Sequence, residues 1–449
     1  MKKQQNRKKR ARVKTEAKVQ IAYGLLVAIS FISILSVAAV ATVSIQKKNS
    51  APRGKTSQLT CKQQFGNFNE RLTCVIEKFK NRKEKDPEPL FLVTALKRLP
   101  DGGTCQANDI NEKNQIIGYC ENSEGRYRSV IWTANGNVQE MKLPQNEEAF
   151  GTIGHAINEA GNIAGQSQLL DQQLLHAMNS VNGTVQSFAP FVIKNDQGIE
   201  ADDHSFLYGI NTNKQMVGSG PYQLIDVPDA GDKDDKKMVH HGFLWDNSRI
   251  TDLDAVSDGF SSWAKDINDQ GMVVGEAELP LADSKYSNRA AVWSVGDHKL
   301  TILDNRENPA ATSAALAIND AQPAQVVGRI GVEQWPGTFY SHGFLWSGQE
   351  MTDLGTYESC AFSAAKDISN SGNIVGESWG YPCGEDIKEY KALIWTFKEN
   401  ETMVTDINNF IYDSRWHLSI LTGINDSDYI VGYGILNGKD EAFLLTPNK

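Results

Sequence analysis

Four residues of this chain stand at equivalent places in a repeated pattern and could bind an anionic ligand. His155, Tyr208, Lys265 and Lys366 each lie two residues before a recurring Ile. Two ammonium groups beside an imidazole would attract a negatively charged group if the fold brought them together. The alternative is that they are solvated or paired residues of a polar surface.

Two tryptophans, Trp335 and Trp379, lie in segments of variable length and do not fit the repeat. Exposed rings on loops suit the binding of a glycan or a protein. The sequence contains no Gly-x-Ser-x-Gly elbow, phosphate-binding loop or His-Glu-x-x-His helix. We therefore predict no catalytic residue.

No metal site and no cofactor are predicted. The acidic stretch Asp226 to Asp235 lacks the alternating Asp/Asn spacing and the distal Glu of a calcium loop. Cys-x-x-Cys and paired Cys/His spacings typical of zinc are absent from the sequence. We interpret the acidic stretch as a solvated loop.

The candidate residues belong to a pattern that recurs seven times along the sequence. Each copy has Ile-Asn (Ile-Ser in the sixth), a tight turn, two apolar residues and a Gly, and these glycines are Gly118, Gly165, Gly218, Gly275, Gly328, Gly376 and Gly432. Their spacing is close to the length of a four-stranded propeller blade. We predict an all-β, seven-bladed β-propeller with four-stranded blades over residues 90–449.

The strand that ends at the repeat Ile is predicted to lie innermost. Small residues recur three and five positions before the Ile, which suits a crowded axis. The residues two positions before it are then expected to face the channel: Asn108, His155, Tyr208, Lys265, Leu316, Lys366 and Thr422. Asp109, Asp266 and Asp367 are their neighbours in the sequence.

Strand counting predicts how the ring closes. The seventh copy ends after its third strand, Ala442–Leu445, whereas a spare strand, Leu90–Leu96, precedes the first copy. An N-terminal strand that completes the last blade would remove an open sheet edge. The alternative is an open β-solenoid, which leaves the spare strand without a partner.

Two further repeat positions are predicted to be structural. In five copies the third strand ends at a Trp, which we expect to pack between blades rather than to stack on sugars. These residues are Trp132, Trp245, Trp293, Trp346 and Trp395. His176, His241 and His342 are interpreted as caps of that strand.

The turn after the Ile calls for a residue with positive φ. Gly161, Gly271 and Gly372 suit that position, but Lys214 and Asp428 occupy it in other copies, and the fifth copy has two extra residues around Pro323. The turn geometry is therefore expected to vary among copies.

The residues before the propeller predict a membrane anchor. Residues 1–20 carry nine Lys or Arg and one acid, and residues 21–45 are uncharged and apolar, long enough to cross a bilayer. The basic tail is expected in the cytoplasm and the propeller outside the bacterial inner membrane, in the periplasm or beyond. A cleavable signal peptide ending near Ala39-Val40-Ala41 is the alternative. Residues 46–89 are interpreted as a stalk with a short helix at 67–81.

Charge and cysteines agree with export. Subtracting the +8 of the tail from a net charge of −10 leaves −18 for residues 21–449, which disfavours nucleic acid as a partner. Cys105 and Cys120 flank the first turn, and Cys360 and Cys383 bracket the sixth. We predict disulfides within these two pairs and, for the remaining two residues, between Cys61 and Cys74. Buried free thiols are the alternative.

The third strands of the third and fifth copies share a sequence pattern that resembles a known family. His241-Gly242-Phe243-Leu244-Trp245 and His342-Gly343-Phe344-Leu345-Trp346 are each followed by Thr-Asp-Leu. Over residues 90–447 the chain resembles the bacterial HAF-repeat extracellular proteins; the other copies depart from the His. The resemblance implies an exported bacterial repeat protein and brings no catalytic residues.

Two functions fit these features. The first is a non-enzymatic binding or scaffold propeller, tethered to the inner membrane, whose partner is a protein, peptide or glycan. The alternative is a polysaccharide lyase or glycoside hydrolase acting at the axial mouth. Two converging carboxylates or a Tyr/His pair would favour the enzyme, and scattered aromatic rings on a rim would favour the binding module.

Overall fold

The structure is a computed structural model. It describes residues 70–75 and 90–448, apart from 145–148, 170–173, 192, 195–199, 202–203, 227–235, 258, 282–285, 297–298, 309, 349, 382, 384–389 and 399–400. All described residues belong to one compact unit. The predicted tail (1–20) and anchor (21–45) lie outside the described residues, as does most of the acidic stretch. Of the stalk, residues 70–75 are described and are helical.

Seven antiparallel four-stranded sheets make up the fold. In chain order, blade 1 is β2 (Cys105–Ile110), β3 (Ile116–Glu121), β4 (Tyr127–Trp132) and β5 (Val138–Glu140); blade 2 is β6 (Ala149–Ile157), β7 (Ile163–Leu169), β8 (Leu175–Val181) and β9 (Thr184–Phe188); blade 3 is β12 (Phe206–Ile210), β13 (Met216–Asp226), β14 (Lys236–Asp246) and β15 (Arg249–Asp252); blade 4 is β16 (Ser262–Ile267), β17 (Met272–Pro280), β18 (Tyr286–Ser294) and β19 (Leu300–Ile302).

The remaining blades follow the same order of strands. Blade 5 is β20 (Ser313–Ile318), β21 (Gln325–Trp335), β22 (Thr338–Ser347) and β23 (Glu350–Gly355); blade 6 is β24 (Phe362–Ile368), β25 (Ile374–Trp379), β26 (Lys391–Lys398) and β27 (Glu401–Asp406); blade 7 is β28 (Trp416–Ile424), β29 (Ile430–Leu436), β30 (Lys439–Pro447) and β1 (Phe91–Ala95). A hairpin of β10 (Ile193–Lys194) and β11 (Glu200–Ala201) lies between blades 2 and 3, and a 3-10 helix, Ile407–Phe410, follows β27.

The first strands of the blades form the inner wall. Each contacts the first strand of the next blade, and β28 of blade 7 contacts β2 of blade 1. Alanines three positions before the repeat Ile, such as Ala107, Ala264 and Ala365, are fully buried there. The predictions of a seven-bladed propeller and of an innermost first strand are thus confirmed, and the open solenoid is wrong.

Every first strand contains a β-bulge at the same place. The pairing register shifts between the residues three and one before the repeat Ile, as between Ala264 and Asp266 in blade 4, and the six other blades repeat the shift. The bulged residue is Lys265 or its equivalent. A bulge turns one side chain away from the regular alternation of a strand, so each blade directs one side chain to the axis.

The bulge also explains the repeat glycine. A Cβ on Gly275 would lie 1.9 Å from the carbonyl oxygen of Trp263, and a Cβ on Gly218 would lie 1.8 Å from the carbonyl oxygen of Phe206. The five other repeat glycines face the equivalent oxygen at 2.1–2.3 Å. Any side chain here would overlap the bulged strand, so close backbone approach requires Gly.

The turn geometry is more uniform than the sequence predicted. The residue four positions after the Ile has φ between 57° and 82° in six copies, including Lys214 and Asp428. The fifth copy differs and has a cis Gln322–Pro323 peptide bond. The expectation of variable geometry was therefore wrong for six turns, because non-glycine residues adopt the same left-handed conformation.

The repeat Asn joins consecutive blades. Its Oδ1 caps its own turn, while its Nδ2 donates to the backbone oxygen at the same position in the next blade, as from Asn111 to Asn158 (3.0 Å) and from Asn158 to Asn211 (2.9 Å). The series continues to Ser369 and resumes where Asn425 donates to the oxygen of Asn111 (3.0 Å). Ser369 has no amide to donate and interrupts the ring once.

Four of the five repeat tryptophans and all three repeat histidines are buried, as predicted, and Trp346 is partly buried. Trp132, Trp293 and Trp395 are fully buried among residues of their own and the preceding blade. His241 and His342 are buried, and the Nδ1 of each lies 3.0 Å from a carboxylate oxygen of Asp252 or Asp353, the Asp of the Thr-Asp-Leu segment.

β1 pairs antiparallel with β30, with Phe91 opposite Pro447 and Ala95 opposite Phe443. This places the segment predicted as Leu90–Leu96 beside the third strand of blade 7. Leu90 and Phe91 are buried among residues of blades 6 and 7.

Two predicted disulfides are confirmed, Cys105–Cys120 and Cys360–Cys383. Cys74 is also disulfide-bonded, and Cys61, its predicted partner, lies outside the described residues. Within the described ranges, no helix has the length and apolar character needed to cross a bilayer.

Candidate functional site

The seven bulged residues share one cavity on the propeller axis. This axial cavity has a volume of about 380 Å³ and is lined by Asn108, His155, Tyr208, Lys265, Leu316, Lys366 and Thr422, together with Ile420 and Tyr433. The prediction that the seven positions face a common space is confirmed. A volume of this size lies within the range of ~300–1,000 Å³ for small-molecule sites.

Lys265 supplies a positive charge to the cavity, and the carboxylate of Glu276 acts on it electrostatically without a direct ion pair. Its ammonium group lies 4.2 Å from the centre of the Tyr208 ring, a cation–π distance. Among the described residues the ammonium has no hydrogen bond and no ion pair. A half-buried ammonium that rests on a ring can still bind an anion.

His155 lies beside the same tyrosine. The two ring centres are 5.4 Å apart, and His155 Nε2 is 2.9 Å from Oε1 of Gln166. If Nε2 carries the proton and donates to Gln166, Nδ1 of the neutral ring is an acceptor. His155, Tyr208 and Lys265 thus form one cluster across blades 2, 3 and 4.

Lys366 departs from the prediction that His155, Lys265 and Lys366 hold an anion together. Its Nζ is 2.8 Å from Oε1 of Glu377, whose side chain is buried. Glu377 immediately follows the repeat Gly of blade 6. Because Lys366 already has a carboxylate partner and Lys265 has no direct one, Lys265 is the better placed of the two to bind an anion.

Burial sets the protonation of the cluster. It lowers the pKa of His155, although the hydrogen bond to Gln166 opposes that shift. Burial also lowers the pKa of Lys265, with the carboxylate of Glu276 opposing. It raises the pKa of Tyr208 to about 12. Near neutral pH the imidazole is therefore uncharged and the phenol protonated.

Three aspartates lie one residue further along the inner strands, on the turn side of the cavity. Each carboxylate accepts the next N–H of its own chain and the N–H of the repeat Ile in the next blade, as Asp109 does from Ile110 (2.7 Å) and Ile157 (2.9 Å). Asp266 and Asp367 bind in the same way to Ile318 and Ile424. These carboxylates connect blades and do not line the cavity.

The seven residues at that level are three aspartates and four small residues, with no two aspartates in adjacent blades: Asp109, Ala156, Gly209, Asp266, Ala317, Asp367 and Gly423. A Cβ on Gly209 would lie 2.7 Å from Cα of Asp266. Burial raises the pKa of Asp109 to about 6 and that of Asp266 to about 7, and it raises that of Asp367 well above its ordinary value.

The two predicted tryptophans are not part of the axial cavity. Trp335 is 67% exposed near the tip of the β21–β22 hairpin. Trp379 is half-buried and stacks on Phe362 (ring centres 5.6 Å apart) and on Tyr390 (6.3 Å). Both lie on the face formed by loops between second and third strands, which we call the loop face. The face with the Asn turns is called the turn face.

Sequence reasoning missed the residues that directly follow the repeat glycines. Gln166, Glu377 and Tyr433 all contact or line the axial cluster from this position. The repeat itself was the available signal, because this position lies directly beyond the Gly in each second strand. Within the described residues, no three His, Cys, Asp or Glu side chains are placed to hold a metal ion.

No family model and no curated protein matches the chain. It is similar to the solved structure of an oligogalacturonate lyase from Vibrio parahaemolyticus, with 8% identity, coverage of 80% of this chain and 98% of that chain, and a TM-score of 0.48. The corresponding values for the β-propeller domain of the Trilobed protease from Pyrococcus furiosus are 10%, 77%, 94% and 0.47. For the Aleuria aurantia lectin they are 10%, 69%, 96% and 0.36. Similarities at this level carry no functional argument.

Proposed function

We propose that this chain is a binding propeller whose axial cavity takes up an acidic group of a protein, peptide or glycan ligand. The observation that carries the proposal is the ammonium group of Lys265, held in the cavity without a hydrogen bond or an ion pair to any described residue. A carboxylate of the ligand would supply the missing partner.

The other lining groups suit an uncharged part of such a ligand. Asn108 and Thr422 are polar, while Tyr208, Tyr433, Leu316 and Ile420 present ring and aliphatic surface. Small-molecule sites typically combine such apolar walls with a few placed polar groups. His155 adds a hydrogen-bonding group that is uncharged near neutral pH.

Lys265→Met tests this role. We expect calorimetric titration with acidic peptides and acidic oligosaccharides to show at least tenfold weaker binding than wild type, because a charge-assisted contact is lost. Lys439→Met, at the exposed β29–β30 hairpin of blade 7, should bind like wild type. Equal affinity for both variants, or no binding of any acidic ligand to wild type, would refute the proposal.

A second candidate, a polysaccharide lyase, is favoured by the contact between His155 and Tyr208. In β-elimination from a uronate polymer, neutral His155 would take the proton next to the carboxylate. A carbon–carbon double bond would form as the bond to the glycosidic oxygen breaks, and protonated Tyr208 would donate a proton to that oxygen. Lys265 would balance the carboxylate charge.

The same ligand panel separates the two candidates. An unsaturated product, detected by its ultraviolet absorbance and lost in both Tyr208→Phe and His155→Gln, would establish the lyase. Binding without product formation supports the binding module. A glycoside hydrolase would instead release saturated sugars.

The remaining parts of the proposal concern the chain around the site. We propose that residues 21–45 anchor the protein in the bacterial inner membrane, with the propeller in the periplasm, in line with the resemblance to HAF-repeat extracellular proteins. Two disulfides are compatible with an oxidising compartment. Protection of the propeller from protease in intact cells, and its loss when the outer membrane is permeabilised, tests the location.

We also propose that the pairing of β1 with β30 closes the ring in the folded protein. The pairing removes the exposed edge of blade 7 and ties the segment before the first repeat to the last blade.

A further inference from the structure

A second cavity lies on the loop face beside the axial one. This blade 2 cavity has a volume of about 340 Å³, and its lining includes Tyr127, Ile153, Gln166, Gln168, Leu175 and His204. Its polar lining side chains carry amides, a phenol, an imidazole and the hydroxyl of Thr152, without a carboxylate, lysine or arginine among them. A neutral ligand therefore suits it better than a charged one.

The strand register places this cavity further from the turn face than the axial cavity. Gln166 is opposite Ile153, and Gln168 is opposite Gly151, four and six residues before the repeat Ile157. The bulged residue His155 is closer to the turn. Tyr127 and Leu175 begin β4 and β8 immediately after loop-face connections.

Gln166 joins the two cavities. Its side chain lines the blade 2 cavity, and its Oε1 contacts Nε2 of His155, which lines the axial cavity, at 2.9 Å. One hydrogen-bonded pair of side chains thus forms part of the wall of both spaces. A ligand of two linked units could occupy both cavities at once.

The blade 2 cavity offers groups that recognise hydroxyls. The amide nitrogen of Gln166 and the whole amide of Gln168 make no hydrogen bond to another described residue. Tyr127 is 48% exposed and meets Tyr119 edge to face, with ring centres 5.0 Å apart, which leaves ring surface for a sugar. Amides with both donors and acceptors match a hydroxyl-rich ring.

We infer that the ligand is an acidic oligosaccharide, with an acidic sugar in the axial cavity at Lys265 and an adjoining neutral sugar in the blade 2 cavity. The inference rests on the proposed function and specifies its ligand class. The neutral unit would contact Gln168 and Tyr127, while its acidic neighbour pairs with Lys265.

The experiment uses calorimetric titration of the full-length protein with two ligands. One is N-acetylmuramic acid, and the other is the disaccharide in which it is linked to N-acetylglucosamine. We expect the disaccharide to bind at least tenfold more tightly than the monosaccharide. Gln168→Leu and Tyr127→Ala should each abolish that gain and leave monosaccharide affinity within twofold of wild type. Tyr286→Ala, a 53% exposed tyrosine on blade 4, should retain the gain.

A disaccharide of glucuronate and N-acetylglucosamine tests whether the acidic unit is a uronic acid instead of N-acetylmuramic acid. With either disaccharide, a gain in affinity that depends on Gln168 supports the inference. A gain that persists in both Gln168→Leu and Tyr127→Ala, or no gain with either disaccharide, overturns it. Using two variants guards against loss through misfolding of one, which near-ultraviolet circular dichroism would reveal.

Failure of this inference can be told apart from failure of the proposed function. If acidic peptides bind in a Lys265-dependent manner while neither disaccharide binds, the sugar assignment is wrong and the axial anion site stands. If no acidic ligand binds, both are wrong.

Discussion

At the scale of single residues, the bulge and the glycine opposite it are one device. The bulge turns Lys265 or its equivalent toward the axis, and Gly275 or its equivalent allows the two strands to approach closely enough for the bulge to form. Since all seven copies have both parts, the axial side chain can vary in chemistry without a change in backbone. Lys, His, Tyr, Leu, Asn and Thr all occupy that position.

Gly275→Ala should therefore be strongly destabilising. The added Cβ would overlap the carbonyl oxygen of Trp263, which lies 1.9 Å away, and relief of that overlap requires a backbone shift that costs about 2 kcal/mol or more. Urea denaturation measures the loss. Gly296→Ala, where a Cβ meets nothing closer than 3.9 Å, should change the free energy of unfolding by less than about 0.5 kcal/mol. Similar losses in both variants would contradict the steric explanation.

The repeat made the axial residues predictable, but not their partners. His155, Tyr208, Lys265 and Lys366 could be aligned by counting back from the repeat Ile. The ion pair of Lys366 with Glu377 could not, because it depends on which side chains leave the two strands on the same side of a bulge. The blade 2 cavity combines strand residues such as Gln166 with His204, which lies in the connection before β12, outside the repeat.

At the scale of elements, β1 could be predicted because the last copy of the repeat lacks a fourth strand. The count of strands in the seventh copy left one place empty, and Leu90–Leu96 was the segment available to fill it. The uniform turns were missed for a local reason. Lys214 and Asp428 have no intrinsic preference strong enough to reveal positive φ, and the capping bonds of the repeat Asn impose that conformation.

Phe91→Ala tests the contribution of β1 to the ring. Phe91 is 1% exposed, whereas Leu92, the next residue of the strand, is 56% exposed. We expect Phe91→Ala to lower the free energy of unfolding by about 3 kcal/mol or more, as for other buried aromatic residues, and Leu92→Ala to lower it by less than about 1 kcal/mol.

Thermal and urea unfolding of both variants provide the measurement. If the two substitutions have equal, small effects, β1 does not hold blade 7 in solution, and the proposed closure is incorrect. A loss confined to Phe91→Ala, with a single cooperative transition, supports closure.

At the scale of the whole molecule, acidic and basic groups lie at different heights along the propeller axis. Carboxylates that join blades lie on the turn side, and the ammonium group of Lys265 lies in the cavity toward the loop face. The sequence predicted a ring and an axis. It could not predict which face opens to a ligand, because that depends on the direction of the first strand relative to the loops.

The blade-joining aspartates should make stability depend on pH. A folded pKa of about 7 for Asp266, above the ordinary value of 3.8, means that the folded state holds this proton more tightly than the unfolded state does. The resulting stabilisation is fully present below about pH 4 and is lost as pH rises through about 7. Between pH 5 and pH 8, wild type should lose about 1 kcal/mol or more relative to Asp266→Asn.

Urea titrations at both pH values give this difference, and groups that are not coupled to Asp266, such as His155, cancel from it. Asp440→Asn, on the exposed β29–β30 hairpin, should instead run parallel to wild type. Parallel profiles for Asp266→Asn and wild type would show that this carboxyl does not take up its proton on folding.

The order of side chains beneath the cavity makes the seven modules non-interchangeable. Asp266 fits because the preceding blade contributes Gly209, and Asp109 fits because the blade before it in the circle contributes Gly423, whose Cβ would lie 3.2 Å from Cα of Asp109. Duplicating blade 4 in place of blade 3 would set two buried aspartates side by side and remove the space that one of them needs. A gene built from identical copies of this unit would therefore not reproduce the native circle, whose sequence differences are part of its fit.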